Sequence, residues 1–121
     1  GGFALITVPA HHWLWSRHDE ALHHLRRYTT NELRKKLIHT GFRPVQHSHF
    51  VIPAILFLLL KKTARRIKRM LGKEEAIDTY DTILPLWLNR ILIWWLYAEK
   101  IIMRIIPLPA GSSLVMLAKK L

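Results

Sequence analysis

An α/β chain with about three strands, interrupted by a long two-helix amphipathic insertion, is the fold class that three features of the sequence predict. Phe3 to Ala10 is a nearly continuous apolar, β-rich run, the pattern of a strand covered on both faces. Thr29 or Thr30 supplies a helix N-cap, Glu32 a first-turn acid, and Leu33, Leu37 and Ile38 a buried stripe that stops at Gly41. Further on, an apolar run, Val51 to Leu60, leads into a basic amphipathic stretch, and a second long apolar stretch, Ile83 to Leu108, gathers its polar residues on one narrow face.

The remaining elements follow from breakers and composition. Pro9 ends the pairing of the first strand. Arg43 to Phe50 reads as a second strand, which Pro53 closes, and a helix then runs to about Leu71. Gly72 to Asp81 is polar and linker-like, with Lys73, Glu74, Glu75, Asp78 and Asp81 in place of apolar periodicity. Pro85 opens a second helix, Pro107 and Pro109 close it, and Ser113 to Lys119 forms the last strand. The chain thus divides into residues 1–50, a helical insertion over 51–110 suited to a membrane surface, and a final strand in 111–121. No internal repeat or low-complexity tract occurs.

Composition bounds the setting. The absence of cysteine excludes disulfides and thiolate metal sites, and nothing argues for an oxidising compartment. The expected location is cytoplasmic, peripheral at the inner membrane face. Phe3 to Ala10 does not read as a signal peptide, being short and without a basic leader. Hydrophobic residues make up 50% of the 121, too many for three strands to bury, so apolar surface is expected to meet a partner.

The net charge of +11 narrows the partner. Lys61, Lys62, Arg65, Arg66, Lys68 and Arg69 fall within roughly 160° of arc when wound as a helix, opposite Leu60, Ala64, Ile67 and Leu71. Such a stripe suits an anionic membrane surface, each base contributing about 1 kcal/mol. A plain solvated helix face is the bland alternative. Nucleic acid is disfavoured, because no aromatic side chains interleave with the bases and no recognition motif is present. In the second apolar stretch Asn89, Arg90, Tyr97, Lys100 and Arg104 share a narrow face with Glu99 at its edge, while Trp87, Ile91, Trp94, Trp95, Ile101, Ile102 and Ile105 cover the rest. That many charges argue against a spanning helix. The pattern fits a helix lying in an interface, packing on the first insertion helix, or buried in the core.

The segment His18 to Thr29 lies after the first strand and before a helix, where open α/β sheets gather their ligands. It carries Asp19, His18, His23, His24, Arg26, Arg27 and Tyr28, a plausible active-site wall or a solvated basic loop. Together with Gly1 to Ala10 and Trp13-Leu14-Trp15-Ser16, this segment resembles the second half of class I S-adenosylmethionine-dependent methyltransferases of the type 11 kind. The resemblance continues through Asn31-Glu32-Leu33, Thr40-Gly41-Phe42, Pro85 to Arg90, Glu99-Lys100 and Leu108 to Leu114, and so covers nearly the whole chain. His23 departs from it, standing where that branch usually has glycine.

The resemblance implies the C-terminal half of a Rossmann-like methyltransferase sheet, with the last strand antiparallel to its neighbours. It also implies S-adenosyl-L-methionine as cofactor, with no cofactor-binding residue in this chain. Gly1, Gly2, Gly41, Gly72 and Gly111 form no spaced glycine turn between a strand and a helix. The expected activity is the acceptor-side half of a methyl transfer to an apolar or membrane-associated small molecule. A hydroxyl or acid acceptor must lose a proton, and His24, His18 or Asp19 is the expected catalytic base. Arg27 would bind an anionic acceptor through its planar fork and Tyr28 would shape the pocket, unless both merely anchor the loop. Trp13 and Trp15, alternating on an extended segment, would flank an apolar substrate or pack as a lid.

Two other chemistries are weaker. Among eight histidines, His11-His12, His23-His24 and the pair His47 and His49 are close in sequence, yet no metal-binding helix spacing occurs and no metal is expected. Ser16, His18 and Asp19 lack the nucleophile elbow of a serine hydrolase. The alternative to an enzyme half is a non-catalytic, basic amphipathic membrane-surface binding protein.

Overall fold

A computed structural model of the chain describes residues 1–73 and 84–121. Glu74, Glu75, Asp78 and Asp81 of the expected linker, and Ile83, lie outside the described residues. The element order is β1 (Phe3–Pro9), a 3-10 turn (His12–Leu14), α1 (Arg17–Ala21), α2 (Thr30–His39), β2 (Phe42–Phe50), α3 (Ile52–Met70), α4 (Leu86–Met103) and β3 (Ser113–Lys120). The fold is mixed α/β. β3 lies between β1 and β2 and runs antiparallel to both, so strands from the two ends of the chain form one sheet around the helical segment.

Alternation along the strands sets the core. Ile6 and Val8 of β1, with Leu114, Met116 and Ala118 of β3, pack beneath Leu33 and Leu37 of α2. The expected stripe of α2 is corrected at one position, for Ile38 points to solvent. A capping box closes the helix start: Thr29 Oγ1 accepts the Glu32 N–H at 3.3 Å, and Glu32 accepts the Thr29 N–H at 2.9 Å. Its end is Gly41, whose φ of 80° favours glycine. β1 is not covered on both faces as expected. No described element lies over Phe3 and Leu5, which are exposed, and β1 leaves one edge unpaired. The other edge strand, β2, accommodates Pro44 beside a bulge at Val45.

The junction of β2 and α3 is held from a distance. Val51, the N-cap of α3, sits in the left-handed region at φ 61°, which costs a β-branched residue energy, and its side chain supplies no cap. Glu99 of α4 takes that role. It is 4% exposed and accepts the Val51 N–H at 2.7 Å, the Ile52 N–H at 2.9 Å and the Trp95 indole N–H at 2.8 Å. The charge sits at the positive end of α3. Nearby, a Cβ on Gly111 would stand 2.2 Å from the Phe50 carbonyl oxygen, so the entry to β3 passes β2 too closely for any other residue. Glu99→Ala should strand these buried donors, lower stability by about 1–3 kcal/mol and accelerate hydrogen exchange at Val51 and Ile52; unchanged exchange there would refute the cap.

The apolar faces of the insertion are not buried by the described residues. Leu60 and Ile67 of α3 and Leu71 at its C-cap are exposed, as are Trp87, Ile91, Trp94, Trp95, Ile101, Ile102 and Ile105 on or just after α4, with Trp94 reaching 78%. The two helices do not pack along one another, and α4 is not a core helix. Among the described residues no helix is long and apolar enough to cross a membrane.

Candidate active site

The site lies where β1 ends and β3 begins. The Tyr28 N–H donates to the Pro9 carbonyl at 2.9 Å and the His11 N–H to the Tyr28 carbonyl at 3.1 Å, so residues 11–27 form a loop closed at its base. The loop is more regular than expected. It contains the 3-10 turn, which buries Leu14, and the short helix α1, which buries Asp19.

Asp19 is the hub. Its fully buried carboxylate faces the Arg27 guanidinium in fork geometry, with Nε to Oδ2 and Nη2 to Oδ1 both at 3.0 Å. The Ser16 N–H adds a third bond at 3.0 Å. On the outer side His24 Nδ1 lies 3.0 Å from Oδ1. Burial alone would push the Asp19 carboxyl up, but the hydrogen bonds from His24, Arg27 and Ser16 prevail and hold it below the usual value. An ionised carboxylate only accepts, so His24 Nδ1 must carry the proton, and in the neutral ring Nε2 is left as the acceptor. The His24 side chain is 35% exposed and lines a cleft of about 240 Å³.

Arg27 is 4% exposed and committed to the protein. Besides Asp19, its Nη1 donates to the Ala10 carbonyl at 2.8 Å and the Ser112 carbonyl at 3.2 Å, tying loop, β1 and β3 together. The expected role of Arg27 as the acceptor's anchor is thereby corrected to that of a lock. Asp19 is likewise a positioning group rather than a free base. Of the other expected residues, Tyr28 stacks under Arg26 at 4.7 Å and does not line the cleft. Trp13 sits in the 3-10 turn instead of an extended segment, and Trp15 lines a neighbouring basic groove with Arg66 and Arg69. His18 belongs to α1, and its side chain lies outside the described residues. His23 adopts φ 55°, a conformation natural to glycine.

Sequence reasoning missed the opposite wall. Ala54, Leu58, Lys61 and Arg65 of α3 line the cleft across from His24, at the spacing of one helix face. Lys62 also lines it and donates to the Trp13 carbonyl at 2.5 Å. The one-sided arc of bases is the signal: Lys61, Lys62 and Arg65, three of its six members, line the cleft.

A second histidine cluster adjoins the loop base. His11 and His49 stack with ring centroids 5.1 Å apart, and His11 Nε2 is buried without a partner. Burial, then the nearby Arg27 charge, pushes His11 below its ordinary value, and burial, then His11, does the same to His49. Among the described residues no three ligating side chains converge. Because the unfolded chain takes up these protons near pH 6.5 and the folded one resists, stability should fall as pH drops below that value. His11→Asn, which keeps the left-handed backbone at φ 62° accessible, should flatten urea-measured stability between pH 7 and 5; an unchanged slope would exclude the pair as its cause.

No protein-family model, curated protein or solved structure matches the chain. The case for function therefore rests on the residues and their geometry.

Proposed function

We propose that this chain is the acceptor-side half of an S-adenosylmethionine-dependent methyltransferase, with His24 as the base that takes the proton from a hydroxyl or acid acceptor. The observation that carries the reading is the buried Asp19 carboxylate fixing His24 at the mouth of a cleft, beyond the carboxyl end of β1. The last strand runs antiparallel to both of its neighbours, the orientation that the resemblance implies.

Among the described residues no glycine-rich turn leads from a strand into a helix N-terminus. Gly41 ends α2 and Gly111 threads past Phe50, and neither opens a glycine-rich turn from a strand into a helix N-terminus. What this chain supplies is proton removal. Asp19 holds the ring and stabilises the imidazolium as it forms, Arg27 keeps Asp19 ionised and in place, and the apolar residues Leu22, Phe57 and Leu58 line the cleft beside the base.

Calorimetric titration of S-adenosylmethionine into the chain, alone and with a cofactor-binding methyltransferase half supplied in trans, tests the reading. Binding that appears only in the mixture is expected. Binding to the chain alone, or none in either, would contradict it.

The exposed apolar residues of α3 and α4 favour a second reading, a non-catalytic protein that binds membrane surfaces through Lys61, Lys62, Arg65, Arg66, Lys68 and Arg69. Co-sedimentation with phosphatidylglycerol vesicles at low salt, without any cofactor binding in the mixture, would favour it. Failure to sediment at low salt would remove it.

A further inference from the structure

Glu99 sets the roll of α4 as well as the start of α3. Wound at ~100° per residue, Leu88, Leu92 and Met103 fall on the same side of α4 as Glu99, and these four are its members that are wholly or partly buried. On the opposite side Trp87, Ile91, Trp94 and Ile101 fall within about 80° of arc, and all four are exposed. Arg90, Tyr97 and Arg104 run along one flank of this ridge and are exposed too. No described element covers it.

The composition of the ridge identifies its occupant. Tryptophan and tyrosine favour the boundary between lipid headgroups and acyl chains, and arginine reaches from there to the phosphates. The net charge of +11 already counts all eight acidic residues of the chain, so no ion pairing within it removes the excess. Two copies therefore repel, whereas an anionic layer attracts. α4 is arranged to lie on such a layer and not to cross it. Glu99 is held inside the protein by the Val51 and Ile52 N–H groups, and among the described residues no helix is long and apolar enough to span.

We propose that α4 docks on an anionic lipid bilayer, with Trp87, Trp94 and Ile101 buried at the boundary of headgroups and acyl chains and Arg90 and Arg104 among the lipid phosphates. The docking belongs to α4 itself and rests on neither reading of function. Attachment in the second reading uses the bases of α3 and inserts no tryptophan.

The test is flotation of the 121-residue chain with vesicles of phosphatidylglycerol and phosphatidylcholine at ~0.15 M salt, where attraction by charge alone is screened. Bromine on the upper acyl carbons reports insertion by quenching tryptophan emission. The unaltered chain should float with the vesicles and be quenched, and Trp87→Phe with Trp94→Phe should remove most of the quenching. Trp94→Gln with Ile101→Gln should weaken binding by about tenfold or more, because less apolar surface then leaves water. Leu25→Gln with Ile38→Gln removes two exposed apolar side chains on the loop and α2, and should stay within about twofold. Binding without quenching would overturn the insertion and leave only attachment by charge. Equal losses from the two glutamine pairs would overturn α4 as the docking face. A dimer in buffer that Trp94→Gln with Ile101→Gln dissolves would assign the ridge to a second copy instead, and absence of binding would overturn the docking outright. None of these measurements depends on cofactor or acceptor, so their failure is separable from failure of the methyltransferase reading.

Discussion

Arg27→Met is expected to cost the chain about 3–5 kcal/mol of stability, the largest single-residue effect in the molecule. The reason is burial, not the number of bonds. Asp19 is fully buried, and without Arg27 its charge would have, among the described residues, His24 and the N–H and hydroxyl of Ser16 for company. The Ala10 and Ser112 carbonyls would also lose their donor, loosening the loop from both β1 and β3. Removing both charges together with Asp19→Leu should recover a large part of the loss, because neither ion is then left stranded. Urea denaturation of the two variants measures this, and a loss below about 1 kcal/mol for Arg27→Met would mean that the pair is solvated in solution. The same pair sets an acid limit. The Asp19 carboxyl is held below its ordinary value, so its contribution is present above the unfolded value near pH 4 and disappears as pH falls through the folded one.

His24→Gln is expected to lower transfer by about 10² to 10⁴ while leaving stability nearly intact, because the side chain is partly exposed and glutamine can still reach Asp19. The rate is to be read in the chain complemented with a cofactor-binding half, on a hydroxyl or acid acceptor. Acceptors that carry no proton to lose should be far less sensitive to the substitution. Equal sensitivity would assign His24 to binding instead of proton removal.

The strands, both long helices and a helix start at Thr29 or Thr30 were legible because each is written in contiguous residues: an apolar run, proline breaks, and a cap followed by an acid. What was not legible depends on partners remote in sequence. Arg27 pairs with carbonyls 17 and 85 residues away, so its commitment to the fold could not be distinguished from a free anion-binding fork. Glu99 reads as a stray charge on a helix edge until Val51 and Ile52, 48 and 47 residues earlier, are brought to it. The stripe of α3 fixed which residues share an arc but not which way the arc faces, and that direction separates a lipid-facing patch from the wall of a cleft.

The central claim is that Asp19 fixes His24 as a base with its lone pair in the cleft. The long-range ¹H–¹⁵N correlation spectrum of the His24 imidazole at pH 8 tests it most directly, because it reports which ring nitrogen carries the proton. Protonation at Nδ1, with Nε2 bare, is the result this structure predicts. Protonation at Nε2 would mean that Asp19 does not hold the ring, and the proposed base would be lost with it.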